Sequence, residues 1–107
     1  MSYLGFLAAP KEAPQNVSAV SETFDSINVT WREVPEEKRD GIIILYEVNI
    51  TDGSFSKSNK TSDLTIEIQG LEMFKMYSVT VRAFTTIGPG PFSNPTKLKT
   101  KEEGILK

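Results

Sequence analysis

With histidine and cysteine both absent from this 107-residue chain, the side chains to weigh first for acid–base chemistry are its carboxylates. Without histidine there is no usual general base, no commonest metal ligand and no Ser-His-Asp triad. Without cysteine there is no disulfide, no thiolate metal site and no thiol nucleophile. Carboxylates alone can do hydrolytic work in pairs, so Glu36-Glu37, Glu102-Glu103 and Asp52 are the residues to weigh. Adjacent side chains in a loop or tail diverge, and each pair is flanked by Lys or Arg, the composition of a solvated surface. Asp25, Asp40, Asp52 and Asp63 stand alone and match no calcium-loop spacing. The chain is therefore expected to be a non-enzyme, with no catalytic, cofactor-binding or metal-binding residues and no cofactor.

Covalent modification is the chemistry the pattern does favour. Asn16-Val17-Ser18, Asn28-Val29-Thr30, Asn49-Ile50-Thr51 and Asn59-Lys60-Thr61 each satisfy Asn-x-Ser/Thr, and Asn94-Pro95-Thr96 is disqualified by its proline. Ser and Thr fill about a fifth of the chain, so five asparagines should give about one match by chance. The excess points to an exported, glycosylated domain, although β-sandwich strands and turns are rich in these residues in any case. Asn59, in the polar segment Ser54 to Asp63, reads as the most loop-like acceptor, followed by Asn16. Asn28 and Asn49 fall on outward positions of apparent strands.

Length and charge bound the rest. One hydrophobic core, hence one domain, suits this length. A net charge of -2 with scattered Lys and Arg offers no basic stripe for a phosphate backbone, so nucleic acid is not an expected partner. The apolar run Gly41 to Tyr46 is far shorter than the ~20 residues of a membrane span. The opening Met1 to Ala9 lacks a basic start and reads as a poor signal peptide; residues 1–10 are taken as a linker or cloning remnant, 11–101 as the domain and 102–107 as a linker toward a next module.

The elements that position these residues are short stretches of two-residue period between Gly, Pro, Asn, Asp and Ser clusters, with no helical period. Val17 and Ala19, with Phe24 beyond, mark a first strand. Ile27, Val29 and Trp31 share one face of a second, which puts the Trp31 indole in a core rather than on a ligand platform. Val34 to Gly41 reads as a polar loop before a central strand Ile42 to Thr51, where Tyr46, Val48 and Ile50 share a face. Ile42 to Leu45 cannot all point inward from a regular strand; either a bulge or loop cover accommodates them, or some are exposed toward a neighbouring domain. A short edge strand and loop around Phe55, then Leu64, Ile66 and Ile68 alternating, then Tyr77, Val79, Val81 and Ala83 alternating, and a Lys-guarded edge from Pro95 to Thr100 complete the pattern.

Trp31, Tyr46, Leu71 six residues before Tyr77, and Gly88-Pro89-Gly90-Pro91 occur in an order that resembles the fibronectin type III family over roughly Pro14 to Thr100. The resemblance implies a seven-stranded antiparallel immunoglobulin-like β-sandwich whose Leu71 to Tyr77 segment is a tyrosine corner, with Tyr77 hydroxyl bonded to backbone. Met73 stands where the family often has proline. The Arg-Gly-Asp tripeptide and the repeated Trp-Ser pair of the related cytokine receptors are absent. What the resemblance implies for function is a monomeric, extracellular spacer or interaction module, joined to neighbouring modules within a membrane-anchored receptor or adhesion protein, a receptor tyrosine phosphatase first among them. Any catalytic domain would lie elsewhere in the parent. The rivals are an intracellular structural module of the giant muscle-protein type, and a specific protein-ligand domain using the Val34 to Gly41 and Gly88 to Pro91 loops.

Overall fold

The computed structural model describes residues 7–102 and shows seven strands among them: β1 (Gln15–Thr23), β2 (Ser26–Arg32), β3 (Leu45–Thr51), β4 (Ser56–Thr61), β5 (Thr65–Ile68), β6 (Met76–Phe84) and β7 (Thr96–Lys99). They form a three-stranded sheet in the order β1-β2-β5 and a four-stranded sheet in the order β4-β3-β6-β7. Every pairing is antiparallel. Met1 to Phe6 of the expected leading linker, and Glu103 onward of the trailing one, lie outside the described residues.

The core follows from alternation. Side chains on a strand point to opposite faces in turn, so β2 buries Ile27, Val29 and Trp31, β3 buries Tyr46, Val48 and Ile50, and β6 buries Tyr77, Val79, Val81 and Ala83. Register aligns these sets: Tyr46 lies opposite Ala83, Val48 opposite Val81 and Ile50 opposite Val79. Each fully buried Val or Ile side chain contributes about 1.5–3 kcal/mol relative to exposure. Trp31 and Tyr46 meet edge to face, with ring centroids 5.5 Å apart, a geometry that the ring quadrupoles favour. Val34, a loop residue by sequence, is fully buried in the same cluster.

Three local expectations change. The central strand starts at Leu45 rather than Ile42, because Asp40 (φ 56°) and Gly41 (φ 151°) turn the chain across the end of the sandwich before it pairs. Ile43 packs on the core while Ile42 and Ile44 are exposed. Leu64 precedes β5 and Phe24 lies in the β1–β2 turn, both partly exposed.

The crossing from β5 to β6 is held by two side chains. Tyr77 hydroxyl accepts a hydrogen bond from the Glu72 N–H at 2.9 Å, and Leu71 is buried beside it. Thr100, also buried, gives its hydroxyl to the Glu72 carbonyl at 2.6 Å and accepts from the Lys75 N–H at 2.9 Å. These bonds pin the crossing without a proline at position 73.

Candidate interaction site

Antiparallel order sends the β2–β3, β4–β5 and β6–β7 connections to one end of the sandwich and the other three to the opposite end. Residues 8–11 run over the first end: the Ala8 N–H donates to the Asp40 carbonyl, the Lys11 N–H to the Lys38 carbonyl, and Thr85 hydroxyl to the Ala8 carbonyl. Gly90 is required there, since a Cβ would fall 2.7 Å from the Pro10 carbonyl oxygen. The domain edge drawn at residue 11 from sequence thus has three further residues packed outside it.

A cleft of about 730 Å³ opens at this end, with Ile42, Ile44, Leu7 and Leu64 as its apolar part and Glu33, Glu36, Glu37 and Asp40 around it. Ile42 is 81% exposed. Arg39 neutralises little of the rim, because its guanidinium is spent on the Val34 carbonyl and the Glu33 carboxylate, both at 2.8 Å. Glu36 and Glu37 form no ion pair among the described residues. Burial, reinforced by the Glu33 charge, raises the Tyr46 phenol above its ordinary range, so it stays neutral beneath the cleft.

The opposite end carries a second apolar group: Phe24, Phe55, Met73, Phe74 and Met76, each at least 39% exposed. Its loops are tied together. The Leu71 N–H donates to the Asp25 carbonyl and the Phe74 N–H to the Lys101 carbonyl. Lys75 bridges Asp52 at 3.0 Å and Glu72 at 3.2 Å. The Ser54 N–H, Lys75 ammonium and Phe55 N–H all bond the Asp52 carboxylate and hold it well below the usual carboxylate range. A carboxylate so stabilised is a poor proton donor, which argues against a general-acid role for Asp52. A lowered folded-state pKa adds stability that is present above the unfolded value and lost as pH falls below it. Acid unfolding of Asp52→Asn is therefore expected to be less steep than wild type below about pH 4; parallel curves would show that the network contributes nothing.

The outer face of the four-stranded sheet is a third surface. Arg82 lies 4.4 Å from the Phe92 ring centre and 5.4 Å from that of Phe84, and its guanidinium bonds Glu47 at 2.8 Å. Burial alone would raise the Glu47 carboxyl, but hydrogen bonds from Ser58 and Arg82 and the nearby positive charge keep it below its ordinary value. The cluster is internally satisfied. Metal-holding groups of three or more acidic side chains are absent among the described residues.

The acceptor asparagines are spread over the sandwich. Asn16 is exposed at an irregularity in β1 with φ 52°. Asn28 lies half-buried on the outer side of β2, and Asn49 on that of β3, where its Oδ1 accepts from Ser56 hydroxyl at 3.0 Å. Asn59 departs from expectation. It belongs to strand β4 rather than a loop, sits opposite the buried Val48, and shares that residue's inward face. Its Nδ2 is buried without a partner.

Two sheets of three and four strands, closed by a tyrosine whose hydroxyl holds the crossing, bring the comparison with known sequences to a decision. The fibronectin type III domain family model matches residues 12–99. This chain is a fibronectin type III domain. It is 35% identical over 103 residues to mouse receptor-type tyrosine-protein phosphatase F, which covers 90% of the chain and 5% of that protein. It is 33% identical over 100 residues to human cell adhesion molecule DSCAM, which covers 88% and 5%. The domain thus spans about one-twentieth of these curated relatives. The FN5 domain of Drosophila Lar superposes with a TM-score of 0.69 at 25% identity, covering 87% of this chain and 98% of that one. The chicken CNTN1 FN1-FN3 structure shares the fold, with a TM-score of 0.78 at 23% identity over 88% of this chain and 33% of that chain. These relatives do not support the intracellular alternative raised from the sequence.

Proposed function

We propose that this fibronectin type III domain is a non-catalytic extracellular module of a membrane-anchored receptor or adhesion protein, a receptor tyrosine phosphatase being the favoured parent. It holds its neighbours end to end. The observation that carries this reading is the pair of exposed apolar groups, Ile42 with Ile44 at the end over which residues 8–11 run and Phe74 with Met73 at the end where Thr100 leaves. Apolar side chains gathered at both ends of a sandwich, with lysines on the edge strands β4 and β7 of the four-stranded sheet, suit contacts made through the ends and not through those edges. The curated relatives add support, being named as a cell adhesion molecule and a receptor-type phosphatase.

Export is tested by labelling the parent on intact cells with a reagent that does not cross membranes. Label in this domain is the expected result; label only after permeabilisation would refute the reading. The end contact is tested by hydrogen exchange on a chain that keeps its flanking modules. The amides of Ile42 to Ile44 should exchange about tenfold more slowly than in the isolated domain, and Ile42→Lys should remove the difference. Equal rates in both chains would leave the cleft without a neighbour.

A further inference from the structure

We infer that folding sorts the four acceptor asparagines, so that Asn49 and Asn16 carry N-linked glycan in the mature domain while the pairing of β4 with β3 closes Asn59. The inference rests on the extracellular reading for its biological setting, and on register and burial for its content. The acceptor atom is the side-chain nitrogen. At Asn59 that atom is buried and unpartnered, on the face that β4 shares with Val48 and the core. A sugar there would have to leave between the two sheets, which costs the pairing of an edge strand that has few apolar anchors of its own.

Asn49 presents the opposite environment. Its strand is central, but its side chain stands on the outer face among small hydroxyl residues: Ser58 and Thr80 lie opposite it on either side, and Ser56 occupies its Oδ1. That hydrogen bond orients the amide and leaves the nitrogen as its uncommitted end. Small neighbours leave room for the first sugar to lie along the sheet, and their hydroxyls can bond it. Asn28 has bulkier partners, Val20 and Glu67, directly opposite. Asn16 is exposed at an irregular strand start. A glycan on Asn49 would cover the outer face of the four-stranded sheet and leave both ends of the module free for neighbours.

The test places a heterologous signal sequence before the chain, so that it reads acceptor choice independently of where the native parent resides. Secreted, monodisperse protein is treated with peptide N-glycanase in heavy-oxygen water, and each site's occupancy is read by mass spectrometry as asparagine converted to labelled aspartate. Asn49 is expected to be occupied at least about tenfold more than Asn59, with Asn16 also occupied. Glycan at Asn59 in folded protein, or none at Asn49, would overturn the assignment. The cause is separated from the outcome by Trp31→Ala, read in the cell-retained fraction: if folding closes Asn59, its occupancy rises several-fold in this destabilised chain. Occupancy that stays low would overturn the folding explanation.

Discussion

Trp31→Ala is expected to lower the unfolding free energy by about 3–5 kcal/mol, the cost of deleting a large buried aromatic and leaving a cavity between the sheets. Trp31 is 4% exposed, and its ring meets that of Tyr46 edge to face between β2 and β3. Urea denaturation followed by circular dichroism measures the loss. The indole also carries a weakness, because its Nε1 is buried with no partner, a situation that costs about 1–3 kcal/mol. Trp31→Phe removes that N–H, as alanine does, but keeps a ring in the core, so it should retain at least about 2 kcal/mol more stability than the alanine variant. Equal losses would mean that ring packing is not what position 31 contributes to the core. As the chain's single tryptophan, it also reports on itself: red-shifted, readily quenched emission from the folded protein would contradict burial.

Tyr77→Phe should cost about 1–3 kcal/mol, although only one oxygen is lost. The phenol is 3% exposed and its hydroxyl is the acceptor for the Glu72 N–H, so removal strands a donor inside the crossing rather than returning it to water. Thr100 holds the same segment from the other side through the Glu72 carbonyl. Losses from Tyr77→Phe and Thr100→Val are accordingly expected to be non-additive when combined, since both act on one turn. An unchanged denaturation midpoint for Tyr77→Phe would show that the hydroxyl does not hold the crossing.

The strands with an apolar period were legible because alternation is local: Ile27, Val29 and Trp31 announce their shared face within five residues. What stayed hidden depends on partners distant in sequence. Val34 looks like a loop residue until the packed sheets make room for it. Thr100 carries no sign that its hydroxyl meets backbone 25 and 28 residues away. The β4 segment, Ser56 to Thr61, has no apolar alternation to set its phase, so its polarity read as exposure, and only pairing with β3 reveals that Asn59 faces inward. The apolar run at Ile42 was visible, but whether it was bulged or exposed turned on the backbone at Asp40 and Gly41.

The opposed ends of the sandwich have a mechanical consequence. Tension applied through neighbours pulls β1 and β7 along their own length, which loads their inter-strand hydrogen bonds sideways and together instead of one after another. The two terminal strands are unequally fastened: β1 has six registered partners on β2, and β7 has four on β6. Stretching should therefore detach β7 first, and the step before it is release of Lys101 and Thr100 from the Glu72–Lys75 turn. The short cluster of bonds that Thr100 and Lys101 make to this turn would then set the force at which the module begins to lengthen.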